Sequence, residues 1–95
     1  MRHYELTFIV EPNKDEEGVT GVVDRVSQLV SGIDGNVTSV DVWGRKTLAY
    51  PINKHREGTY VRLEADMPPA NLVDLERNLK LVESVIRYLL VTEED

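Results

Sequence analysis

Cysteine is absent from this 95-residue chain. Disulfides, zinc–thiolate centres and thiol nucleophiles are thereby excluded, and the composition is consistent with a reducing cytosol. Histidine is nearly absent too. His3 and His55 are the only two, neither sits beside a carboxylate-and-nucleophile grouping of the triad kind, and both are read as solvated surface residues. No apolar stretch approaches the roughly 20 residues that span a bilayer, and Met1-Arg2-His3-Tyr4-Glu5 lacks the apolar run of a signal peptide. Gly32, Gly35 and Gly44 have no phosphate-loop spacing, and no lysine follows where such a loop requires one. Asp15-Glu16-Glu17 matches neither a calcium loop nor a catalytic carboxylate pair and reads as the acidic first turn of a helix. Metal, cofactor, small-molecule substrate and catalysis are therefore not expected.

Positive charge is also in short supply, with 11 Lys and Arg against 17 Asp and Glu, a net charge of −6. That balance opposes strong binding of nucleic acid by the chain alone. The distribution is uneven, however. Between Asp41 and Arg62 stand Arg45, Lys46, Lys54, Arg56 and Arg62 against only Asp41 and Glu57, whereas Glu11, Asp15, Glu16 and Glu17 gather near the first helix and Glu93, Glu94 and Asp95 at the end. An acidic body with a basic strip can touch a few phosphates, or bind a basic protein.

The length makes one domain, 1–95, whose folding buries roughly 60 to 70 per cent of the unfolded surface. Tyr4 to Val10 alternates, with Tyr4, Leu6, Phe8 and Val10 on one face, and reads as a strand ended by Pro12-Asn13. Asp15 or Asn13 caps a helix whose stripe is Val19, Val22, Val23, Val26, Leu29 and Val30, with Gly32 as its terminating residue. Val37 to Trp43 and Lys46 to Ile52 read as one long strand bent at a Gly44 bulge; a hairpin at Gly44-Arg45 is the alternative. Asn53 to Gly58 is a polar turn, and Thr59 to Met67 a cleanly alternating strand antiparallel to its predecessor. Pro68-Pro69 opens a second helix with Leu72, Leu75 and Leu79 inward, Val85 to Thr92 is the last strand, and Glu93 to Asp95 is frayed. The order β-α-β-β-α-β with right-handed crossovers predicts an α+β, ferredoxin-like sandwich: a four-stranded antiparallel sheet with both helices on one face.

Two helices cover one side of such a sheet. The uncovered side is expected to carry His3, Glu5, Thr7, Ile9, Tyr60, Arg62, Glu64 and Asp66, with Ile9, Leu89 and Val91 forming a small exposed apolar patch. Gly58 to Glu64 holds one aromatic, flanked by the acids Glu57 and Glu64, a poor base-stacking platform compared with RNA-recognition motifs, so backbone contact is favoured over base readout. Trp43 and Tyr50 each fit either a core position or a contact anchor.

The most informative stretch is Trp43-Gly44-Arg45-Lys46-Thr47-Leu48-Ala49-Tyr50-Pro51-Ile52-Asn53-Lys54. Pro51 lacks an N–H and marks an edge or a bulge, so the segment reads as an exposed sheet edge with cations at both ends. It closely resembles the bacterial ribosomal protein family numbered sixth in the small subunit. The opening Met1-Arg2-His3-Tyr4-Glu5 and Ser84-Val85-Ile86-Arg87-Tyr88-Leu89-Leu90-Val91 match that family as well, and the resemblance spans essentially the whole chain. At Thr47 the family's motif usually has a charged or amide residue. The resemblance implies a non-catalytic, cytoplasmic ribosomal protein. It also implies a heterodimer with the basic small-subunit protein numbered eighteenth, the pair binding small-subunit (16S) ribosomal RNA in the central domain. On that footing Arg2, Arg45, Lys46, Lys54 and Arg87 are the expected RNA-phosphate contacts, and Trp43 and Tyr50 the expected partner-protein contacts.

Two rival readings remain. One is a ferredoxin-like interaction or ligand-sensing module outside the ribosome, dimerising through the open sheet face. The other is an acyl-phosphate hydrolase of the same fold, which needs a basic anion loop where this chain has the acidic Glu11-Pro12-Asn13-Lys14-Asp15.

Overall fold

A computed structural model describes residues 1–52 and 54–93. Its elements are β1 (Arg2–Val10), α1 (Glu16–Gly32), β2 (Asn36–Ile52), β3 (His55–Met67), a 3-10 turn (Pro69–Asn71), α2 (Leu72–Leu79) and β4 (Val85–Thr92). The sheet order is β2-β3-β1-β4 with every pairing antiparallel, and both helices bury their apolar stripes against one face. This is the expected ferredoxin-like sandwich.

The core follows from the period-2 pattern of the central strands. Tyr4, Leu6, Phe8 and Val10 of β1 and Val61, Leu63, Ala65 and Met67 of β3 are buried together. From above, Val19, Val22, Val26 and Val30 of α1 and Leu75 and Leu79 of α2 close over them. Each large side chain so buried contributes about 1.5–3 kcal/mol. Valine is a modest helix former, so α1 depends on this packing and on its N-cap, where Asp15 Oδ1 accepts from Gly18 N–H at 2.8 Å. Asn71 Nδ2 donates to the Ile33 carbonyl at 3.0 Å and ties the second helical segment to the end of the first.

Several boundaries differ from the sequence reading, each for a physical reason. α1 does not terminate on Gly32 in a left-handed conformation. That position is Asp34, at φ 66°, in a Schellman arrangement where Gly35 N–H reaches the Val30 carbonyl at 2.9 Å and Asp34 N–H the Ser31 carbonyl at 3.1 Å. β1 begins at Arg2 because Arg2 and His3 pair with Met67 and Asp66. β3 begins at His55, so Gly58 is a strand residue and not a turn glycine; the left-handed residue near the hairpin tip is Lys54, at φ 70°. Asn53, assigned to the turn, lies outside the described residues. The second helix is a 3-10 turn followed by only eight α-helical residues, with Val73 exposed. Glu93 is not frayed: its N–H donates to the His3 carbonyl at 2.9 Å. Glu94 and Asp95 lie outside the described residues.

Candidate nucleic-acid interface

β2 runs 17 residues as one bent strand, not a hairpin at Gly44-Arg45. Register slips between Val42, opposite Val61, and Gly44, opposite Tyr60, leaving Trp43 as the extra residue of a bulge. Gly44 takes φ 96°, a conformation that disfavours any side chain. In a regular strand, residues three apart point to opposite faces. The bulge reverses that for Trp43 and Lys46, and the Lys46 ammonium stands 5.2 Å from the Trp43 ring and 5.8 Å from the Tyr60 ring. Arg45 goes to the opposite, helix-covered side. There it donates to the Pro12 carbonyl, approaches Glu57 at 3.9 Å and lines a 580 Å³ cleft with Lys14, Asp15 and Val19. That cleft carries both charge signs, and among the described residues no hydroxyl lining it is hydrogen-bonded to a side-chain base.

Beyond Thr47 the ladder with β3 is interrupted and resumes only at Ile52 opposite His55. In this arm Leu48 is 8% exposed, and Ile9, which lines the same cleft, 7%, so the exposed patch expected from Ile9, Leu89 and Val91 keeps two of its three members. Leu89 and Val91 are exposed; Ile9 is covered. Gly58 permits this: a Cβ there would lie 2.3 Å from Ile9 Cγ2. Tyr50 stands on the same arm. Its hydroxyl accepts from Arg87 Nη1, and its ring lies 5.6 Å from the Arg87 guanidinium. Trp43 and Tyr50 are surface residues, 49% and 57% exposed, not core.

The expected site residues therefore fall into groups. Trp43, Lys46, Tyr50 and Arg87 converge on the open face at the hairpin end of the sheet, with Lys54 at the hairpin tip. Arg45 is on the other face, and Arg2 pairs with Met67 at the far end of the sheet. The sequence does not single out Tyr60, because Glu57 and Glu64 stand within four residues of it. Those acids are carried elsewhere along the strand, and the signal that could have found Tyr60 was the bulge, which brings Lys46 over it.

The far end of the open face holds a group that sequence reasoning missed. His3, expected to be solvated, lies 2.8 Å from Asp66 through Nδ1, and 3.3 Å from Glu64 and 3.8 Å from Glu93 through Nε2. Hydrogen bonds to Asp66 and Glu64 raise its pKa above 6.5. Arg62 donates to Glu5 and lies 3.4 Å from Glu93 and 3.6 Å from Glu64. The His3 hydrogen bond is the largest influence lowering the Glu64 pKa, while burial and the neighbouring Glu64 raise that of Glu93. His3, Glu64 and Glu93 present ligand atoms within 4.8 Å of one another, but Arg62 already occupies both glutamates, so the cluster serves as a cross-strand ionic clasp.

The ribosomal protein S6 family profile matches residues 3–92. The chain belongs to the ribosomal protein S6 family. It is 44% identical over 95 residues to small ribosomal subunit protein bS6 of Moorella thermoacetica, covering 100% of this chain and 97% of that one. To the bS6 protein of Corynebacterium aurimucosum it is 42% identical over 87 residues, covering 92% and 91%. The crystal structure of 30S ribosomal protein S6 from Thermotoga maritima matches with a TM-score of 0.89 at 30% identity, covering 97% of this chain and 87% of that chain. This S6-family chain is thus a structural, non-enzymatic protein of the small ribosomal subunit, and among its described residues no helix is long and apolar enough to cross a membrane.

Proposed function

We propose that this S6-family protein binds small-subunit ribosomal RNA in the cytoplasm as one half of a heterodimer with the basic small-subunit protein numbered eighteenth. The observation that supports this most is the hairpin end of the open face. Lys46 and Arg87 are held there by aromatic rings, and among the described residues no carboxylate lies within salt-bridge distance of either. A cation resting on a ring keeps its charge and can still meet a phosphate. With a net charge of −6, the chain needs a positively charged companion to hold RNA firmly.

Lys46, Lys54 and Arg87 contact phosphate at the hairpin end, with Arg45 and Arg2 as outlying contacts. Trp43, on the exposed edge strand β2 beside Val40 and Val42, anchors the protein partner. Tyr50, which the sequence grouped with Trp43, shares its ring and hydroxyl with Arg87 and goes with the RNA side. The test is sedimentation of tagged protein through high-salt gradients, followed by crosslinking. Retention on small subunits with the basic partner as nearest crosslinked protein is expected, and loss from the particle would overturn the reading. Replacing Arg45 and Lys46 together with alanine flattens the salt dependence of RNA binding by the heterodimer; an unchanged slope removes both residues.

A further inference from the structure

Between Tyr50 and Tyr60, at the hairpin end of the open face, lies a cleft of about 180 Å³ floored by Ile9 and Leu48 and rimmed by Arg87. We propose that this cleft seats one unstacked nucleobase of a single-stranded RNA segment, with Arg87 and Lys46 holding the flanking phosphates; this rests on the RNA-binding reading above. Four observations point to that occupant. The cleft is smaller than the several hundred cubic ångströms of a drug-sized site, which suits a single ring system. Its walls are two aromatic side chains and its floor two nearly dry aliphatic ones, a lining that favours a flat π-face over an anion or a hydrated ion. Among the described residues no carboxylate lines it, in contrast with the acid-rich far end of the same face. Its rim cation Arg87 is satisfied by a phenol hydroxyl and a ring, neither of which cancels its charge, and Lys46 on the far side of Tyr60 is held the same way.

The cleft is built by the fold. Gly58 lets Ile9 pack tightly into the sheet, and the β2 arm beyond the broken ladder brings Leu48 and Tyr50 to line one cleft with Ile9 and Tyr60. A duplex keeps its bases stacked inside and cannot offer a face to this pair of rings, whereas a loop, bulge or strand end can.

The experiment titrates the heterodimer of the full-length protein and its basic partner at low ionic strength with a labelled single-stranded RNA oligomer and with a duplex of equal phosphate number, read by anisotropy. Saturable binding that prefers the single strand is expected. Tyr50→Leu and Tyr60→Leu should each weaken it roughly tenfold, without affecting the duplex, because one base–aromatic stack is lost. Tyr50→Phe and Tyr60→Phe, which keep the ring, should bind like the parent, and Arg87→Gln should weaken both RNAs. Equal loss on both RNAs, no loss in the leucine variants, or no preference for the single strand overturns the cleft. So does a photo-crosslink from position 50 in assembled subunits that lands on protein rather than RNA. Retention of the parent chain on small subunits, measured in parallel, separates the two ideas: retention without a stacking signal overturns the nucleobase site alone, and loss from the particle overturns the RNA-binding reading.

Discussion

The two ends of the open sheet face use cations in opposite ways. At one end His3 and Arg62 are surrounded by Glu5, Glu64, Asp66 and Glu93 drawn from β1, β3 and the residue after β4. Their charge is spent inside the molecule, binding strand to strand. At the other end Lys46 and Arg87 rest on Trp43, Tyr60 and Tyr50, which orient them without neutralising them. A residue-by-residue count of cations would rate these groups alike. Their neighbours decide that the first set stabilises the fold and the second faces outward to a ligand.

Four experiments would break or sharpen that contrast. The largest expected effect is from Gly58→Val, which drives a side chain into Ile9 Cγ2 and towards the Val10 carbonyl, where a Cβ already falls at 3.2 Å. Stability by urea denaturation should drop by about 1–3 kcal/mol, with the aromatic end disrupted and the nuclear magnetic resonance signal of the His3 ring retained. An unchanged midpoint would refute the tight approach. Next, Arg62→Gln should lower Tm, and more so at low salt, since Glu5, Glu64 and Glu93 lose their shared cation. The mirror change Arg87→Gln should leave stability within about 0.5 kcal/mol. Equal losses from both would abolish the distinction between the two ends.

The third experiment is a pH series comparing the parent with His3→Gln. Because His3 has a raised pKa, its contribution is full below 6.5 and is lost as pH rises through the folded-state value. Glu64 moves the opposite way, and its contribution, present above 4.5, is lost as pH falls through its lowered value. The parent's advantage should therefore be greatest between about 4.5 and 6.5 and shrink towards alkaline pH, with Glu93 opposing part of the gain. An advantage that grows with pH would contradict the clasp. The smallest effects are on RNA binding by the heterodimer. Lys46→Gln and Arg87→Gln should each reduce the salt slope by about 1, and Arg45→Gln by less, because Arg45 is tied to Pro12 and Glu57. A larger change from Arg45 than from Lys46 would reverse the assignment of faces.

Much of the fold was legible along the chain. Alternation in β1 and β3 and the valine stripe of α1 report the local period of a buried face, and period is a property of consecutive residues. The bulge at Gly44 was legible because glycine interrupts an otherwise continuous strand pattern. The role of Gly58 was not, since in sequence it adjoins a polar turn and its use appears only when Ile9 of another strand lies against it. His3 misled for the same reason: its partners Glu64, Asp66 and Glu93 lie more than sixty positions away. Of the interface, the basic segment was visible, but its division between two faces was not. The separation of Arg45 from Lys46 depends on strand register, and the pairing of Tyr50 with Arg87 on the path of the β2 arm.

Sequence alone settled the element order, the buried face of each central strand, the shortage of catalytic groups and the family resemblance, because each of these resides in neighbouring residues or in the identity of a short segment. Tertiary structure alone decided which cations are neutralised and which stay open. Electrostatic and aromatic contacts act over a few ångströms, and at that range the neighbours of a side chain are set by strand pairing, not by chain order.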